Sequence, residues 1–151
     1  MRALLPTFAQ VLSLGIFILA LTQDSYYIEG NDPRAWSSSA GLLIIGWLGL
    51  FYGYFAWLGN PLLLASWVVH YRGDSKLALG LSICSILFML SFLAHKSIVS
   101  SEAPTYSIIT GYGIGYWLWL SSAAFSGLAN SLALTNAQAR PCANSRARPL
   151  S

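Results

Sequence analysis

An all-α, four-helix transmembrane bundle is the fold this chain predicts, and three observations carry the prediction. Asp, Glu, Lys and Arg make up 9% of the 151 residues, against roughly 25% in soluble domains. The hydrophobic share is 56% and the mean hydropathy +0.59. The apolar residues also gather into long runs separated by the few charges. Only lipid lets so much apolar surface stay outside a fold, and a backbone in lipid must satisfy its own hydrogen bonds. The expected organisation is a bundle over residues 1–134 and a basic tail over 135–151.

The first run, 6–21, is expected to remain as a span. Its other reading is a signal peptide with Arg2 as the n-region, but Ala20 and Thr22 make a poor small-residue cleavage site. The second block, 40–70, is too long for one straight crossing of ~20 residues. Its interruption is Gly59-Asn60-Pro61, within WLGNPLLLASW. Proline removes a donor and frees carbonyls near Ala56 and Trp57, which need other partners in lipid. One long helix kinked at Asn60 and Pro61 is expected. The alternative is a short outer segment, 40–57, at the interface or re-entrant, followed by a helix ending near Tyr71. The third run is 77–94 and the fourth 108–134.

Helices in lipid associate by close packing and polar contacts, so small residues at helical spacing mark interfaces. At ~100° per residue, Gly46, Gly49, Gly53, Ala56 and Asn60 fall within a stripe of about 80°. Gly111, Gly115, Ser122, Ser126 and Ala129 lie within about 60° on the fourth run. Both stripes contain a GxxxG pattern, GLFYG and GYGIG. Gly80, Cys84 and Ser91 form a comparable face on the third, with Cys84 expected as a small buried residue. The stripes suit either one compact bundle or self-association between chains. Aromatics crowd the same regions: Phe51, Tyr52, Tyr54, Phe55 and Trp57, then Tyr112, Tyr116, Trp117 and Trp119. Interfacial belts and ring packing account for them; an aromatic-lined pocket for a lipid or hydrophobic ligand is the sharper reading.

Charge sets the orientation. With the N-terminus inside, the inner face collects Arg2, Arg72, Lys76, Arg140, Arg146 and Arg148. The outer face keeps Arg34 and Lys96 beside Asp24, Glu29, Asp32 and Glu102. That asymmetry predicts both termini in the cytoplasm. The net charge of +3 forms no patch with interleaved aromatics on a soluble surface, so nucleic acid is not an expected partner. The tail is expected to be disordered and to lie against anionic headgroups.

Several chemistries find no residues to carry them. No ionisable group lies well inside a span, which argues against a pump or coupled carrier. His70 and His95 fall at opposite faces and cannot share a metal, so no metal or cofactor is expected. Asp24, Glu29 and Asp32 lack EF-hand spacing. Cys84 and Cys142 form no disulfide framework. There is no GxSxG elbow, HExxH or P-loop, and no enzyme is expected.

The runs WLGNPLLLASWVV and GYGIGYWLWLSS resemble segments of small four-span bacterial membrane proteins, with W-x-x-N-P-L the most specific element. The resemblance spans the second block through the fourth run. It implies a four-span fold and a bacterial inner membrane, and no activity. The expected function is a non-catalytic accessory, regulatory or immunity-type subunit in the lipid bilayer. It would meet another membrane protein, or a second copy, through its small-residue stripes or aromatic outer half. The alternative is a small oligomeric channel or carrier with a polar site at the Asn60-Pro61 break. An enzyme acting on an interfacial lipid has no catalytic constellation to stand on.

Overall fold

The computed structural model describes residues 4–30, 32–34, 36–99 and 106–146, with 139–146 as backbone only. Arg2, Glu102, Arg148 and the side chains of Arg140, Cys142 and Arg146, which entered the orientation and tail expectations, lie outside that description. The described chain is mostly helical. It comprises α1 (Leu4–Leu21), β1 (Tyr26–Ile28), α2 (Ser39–Ile45), α3 (Gly59–Tyr71), α4 (Ser75–Ser91), β2 (Ser97–Val99), β3 (Tyr106–Tyr112) and α5 (Ile114–Arg146). The backbone of α5 crosses the 134/135 boundary without a break.

Two stretches, Leu4–Leu21 and Ser75–Ala94, are long and apolar enough to cross a membrane. Only 33% and 22% of them are buried, whereas a core helix of a soluble protein would be covered on most sides. Leu4, Phe8, Val11 and Ile18 of α1, and Ile83 and Leu87 of α4, point outward. Such large apolar side chains suit a hydrocarbon surrounding.

The helices pack through small and polar residues. α1 runs antiparallel to α5: Ser13 Oγ donates to the Ser122 carbonyl at 2.7 Å, and Gly115 N donates to the Asp24 carbonyl at 2.9 Å. α3 turns into α4 through Gly73, which holds φ at +88°, and Asp74 caps α4 by accepting from Leu77 N at 3.1 Å. Phe17, Leu63, Trp67, Met89 and Ala123 form the core between the helices. Phe17 meets Trp67 edge-on at 5.4 Å, an arrangement the ring quadrupoles favour.

At one end of the bundle the two expected outer loops pair into an antiparallel sheet of order β1-β3-β2. Tyr26 faces Tyr112 and Ser97 faces Ile108. Pairing follows from the backbone's need for partners once it leaves a helix, and β-branched and aromatic residues such as Ile108, Ile109 and Tyr106 fit a pleated surface. The sheet covers a second apolar cluster of Tyr26, Ile28, Ala56, Phe92 and Tyr116.

Three expectations need correction. The second block is not one kinked helix. After α2 come two 3-10 turns, Gly46–Tyr52 and Phe55–Leu58, separated at Gly53 and Tyr54, so the backbone follows the alternative in being a short segment followed by a separate helix. Pro61 lies in the first turn of α3, where its missing N–H has no partner to lose. Residues 108–112 belong to β3, so Gly111 pairs with Tyr27 in the sheet and is not on a packed helix face. Cys84 is exposed, as is Gly80. The buried face of α4 carries Ala78, Ser82, Ser85 and Met89, because its hydroxyls need internal partners while a thiol does not.

Candidate functional site: an aromatic cavity and the polar core behind it

A cavity of about 610 Å³ opens beside the 3-10 turns. Local sequence builds it. Gly53 adopts φ +83° and ends the first turn, its N–H bonding the Leu50 carbonyl; left-handed backbone of this kind suits glycine. The chain then folds back, and Tyr54 and Trp57 lie over Gly49 and Gly46. A Cβ on Gly46 would stand 2.7 Å from Trp57 Cδ1, and one on Gly49 3.3 Å from Tyr54 Cβ. These two glycines therefore serve packing within their own segment. Gly53 has open space around it and serves the turn. The expected stripe from Gly46 to Asn60 does not lie on one helix.

Tyr26, Ala56, Asn60, Phe92, Tyr116 and Trp119 form the buried and half-buried wall of the cavity, and Trp36, Leu48, Phe51 and Tyr52 stand exposed around it. Its polar tips are largely spent on the protein. Tyr26 OH donates to the Trp36 carbonyl (2.9 Å), Trp57 Nε1 to Leu43 O (3.0 Å), Tyr54 OH to Ser97 O (3.2 Å) and Tyr116 OH to Met89 O (3.1 Å). Trp36 itself holds φ at 62°, a conformation that costs a non-glycine residue about 1–3 kcal/mol.

Asn60 differs. Trp119 Nε1 lies 2.8 Å from Asn60 Oδ1, and an indole can only donate, so the amide oxygen must face it. That leaves the Asn60 NH2 group with no hydrogen-bond partner among the described residues. The residue is 7% exposed, yet this nitrogen is not among the sealed, unpartnered atoms, and Asn60 lines the cavity. Pro61 follows it into α3 and lies outside the lining.

Behind the cavity, toward the α3–α4 turn, lies a polar core. Ser66 and Ser82 hydroxyls are 2.7 Å apart and both reach the Ala78 carbonyl. Ser126 Oγ lies 3.3 Å from each. Asn130 Nδ2 donates to Ser66 (3.0 Å) and Ser82 (2.9 Å). Its Oδ1 therefore accepts from His70 Nδ1 at 2.7 Å, which puts the imidazole proton on Nδ1. Ser126 joins α3, α4 and α5, while Ser122 supplies the carbonyl that receives Ser13. Gly115 is spent elsewhere: a Cβ there would lie 2.5 Å from Ser39 Oγ and 2.7 Å from the Asp24 carbonyl. Asn130, Ser66, Ser82, Ser13 and His70 did not enter the expected packing faces. Their signal was present as polar residues four apart, Ser66 with His70 and Ser126 with Asn130.

Gln10 on α1 is 3% exposed and neither amide atom has a partner among the described residues. Leaving such a group buried costs about 1–3 kcal/mol. Gln10→Leu should therefore raise the melting temperature in detergent; a lower value would mean the amide is satisfied in the folded protein.

Tyr26 supplies a pH dependence outside the spans. Burial pushes its hydroxyl up to about 12. Its contribution is fully present below pH ~10 and is lost as pH rises toward 12, because the unfolded phenol ionises first; two units correspond to about 2–3 kcal/mol. Tyr26→Phe should lose about 1 kcal/mol at neutral pH through the unmet Trp36 carbonyl. It should also show a shallower fall in stability between pH 10 and 12 than the parent. Equal slopes would refute the assignment.

Compared with known proteins, the chain gives no match to a protein family, to a curated protein or to a solved structure. Among the described residues, no three His, Cys, Asp or Glu side chains converge as a metal-binding group.

Proposed function

We propose that the protein is a four-span membrane subunit that works by binding, not catalysis, in an accessory or regulatory role, and that the aromatic cavity is where it holds an apolar partner. The observation that carries this reading is the cavity itself. Its ~610 Å³ falls in the range of about 300–1,000 Å³ typical of small-molecule sites, and its largely apolar wall with the free amide of Asn60 matches their usual make-up.

The four crossings would be α1, α3 with its preceding 3-10 turn, α4 and the first part of α5. α3 is 13 residues long and spans about 20 Å; the four-residue turn Phe55–Leu58 adds about 8 Å. Together they approach the ~30 Å hydrocarbon thickness. With the sheet outside, Arg72 and Lys76 face the cytoplasm, as do both termini, in a bacterial inner membrane. The small residues support an internal role: Gly46, Gly49 and Gly115 and the hydroxyls of Ser122 and Ser126 meet this chain's own atoms. That shifts the weight of partner binding from the stripes to the aromatic half. A second reading, a small oligomeric channel or carrier with its polar site at Asn60-Pro61, draws on the free Asn60 amide.

The test is purification of native-level protein in mild detergent, with mass spectrometry of bound proteins and lipids. A stoichiometric co-purifying partner, lost from the cavity-filling variant Ala56→Phe in a fraction that still shows the parent's helical circular dichroism, is the expected result. Recovery of a bare homo-oligomer that conducts in liposomes would replace this reading by the second.

A further inference from the structure

We infer that the cavity's occupant is a single-chain amphiphile with an uncharged hydrogen-bond acceptor, such as a carbonyl or ester oxygen, placed to take the free amide of Asn60. The inference rests on the binding reading above and names the ligand class for the same site.

Three observations converge on that class. The first is size. At roughly 30 Å³ per non-hydrogen atom, taken from the liquid share of one water molecule, ~610 Å³ holds about twenty such atoms. That is one acyl chain or short isoprenoid with a small head. The second is the wall. Tyr116, Phe92, Ala56 and Trp119 offer rings and methyl groups, and their polar atoms are committed to Met89 and Asn60. Such a surface favours a hydrocarbon and gains nothing from a polar chain.

The third is the amide. Because Trp119 fixes Oδ1, the side chain cannot turn to present its acceptor without leaving the indole N–H unmet. The cavity therefore offers a donor. Among the described residues no Lys, Arg or His lines it, so a carboxylate or phosphate head would enter without a countercharge and meet a large desolvation cost. A neutral acceptor pairs with the amide and leaves no charge buried. The sequence places this amide beside Pro61 in the opening turn of α3, close to the fold-back of the 3-10 segment.

The probes are methyl 11-bromoundecanoate and 1-bromododecane, whose chains are similar and of which only the first carries a carbonyl acceptor. Bromine quenches tryptophan fluorescence at contact, and Trp57 and Trp119 line the cavity. Titrations use the full-length protein in micelles, with Ala56→Phe as the baseline for quenching from outside the cavity. The expected result is saturable quenching with a midpoint about tenfold lower for the ester than for the alkane, the size of one well-made hydrogen bond. Asn60→Leu should bring the two midpoints within about twofold. Saturable quenching by both probes at equal midpoints in the parent protein overturns the inference and leaves the binding reading standing. No saturable quenching by either overturns both. The parent comparison decides the matter even if Asn60→Leu does not fold.

Discussion

Gly113→Ala should destabilise the protein by about 3 kcal/mol or more. A Cβ at position 113 collides with the carbonyl oxygen and carbon of Asp24, and both are backbone atoms that cannot swing aside. The same contact carries two hydrogen bonds, Gly113 N to the Ser25 carbonyl and Gly115 N to the Asp24 carbonyl, each 2.9 Å. Forcing the strands apart sacrifices those bonds as well as the packing, and overpacking alone costs about 1–3 kcal/mol. Gly115→Leu should be worse, since its larger side chain meets Ser39 Oγ and the Asp24 carbonyl together. Gly53→Ala is the contrasting case. Nothing stands within 4 Å of its Cβ position, and its φ of +83° accounts for a loss of about 1–2 kcal/mol. Denaturant titration in mixed micelles ranks the three. A Gly113→Ala variant within 0.5 kcal/mol of the parent, as surface substitutions usually are, would remove the close approach from the account.

Asn130→Leu should cost about 2–4 kcal/mol. One side chain serves Ser66, Ser82 and His70 at 3.0, 2.9 and 2.7 Å. Leucine leaves the His70 Nδ1 proton without its acceptor and places an apolar group against two hydroxyls. A single polar contact between membrane helices averages only about 0.6 kcal/mol, so the expectation rests on losing three at once in a buried network. Ser126→Ala removes only contacts of 3.3 Å and should cost less than about 1 kcal/mol. If the two variants melt at the same temperature, the network does not centre on Asn130.

Sequence reading went furthest where one dimension suffices. Apolar run length and sparse charge mark Leu4–Leu21 and the stretch after Asp74 as long apolar helices, because each can be recognised without knowing its neighbours. Asn60 likewise stood out as an amide beside a proline in an apolar run, and it lies at the cavity with an unused donor. The small-residue stripes fared less evenly. Ser122 and Ser126 lie between helices, whereas Gly46, Gly49, Gly53 and Gly111 are in turns or a strand. Projection at 100° per residue assumes an α-helix, and a 3-10 turn or a strand rotates each side chain by a different angle.

What the sequence by itself determined is the main element: sparse charge and long apolar runs mark helices, two of which, Leu4–Leu21 and Ser75–Ala94, are long and apolar enough to cross a membrane. Tertiary structure alone decided where the block around residues 40–58 folds back, that two loops pair into a sheet, and that His70 bonds Asn130. Each of those depends on groups 14 to 81 positions apart, such as Leu43 with Trp57, His70 with Asn130 and Ile28 with Ile109. The physical reason is that a backbone or hydroxyl group must be satisfied by whatever lies beside it in space, and local pattern carries no record of that neighbour.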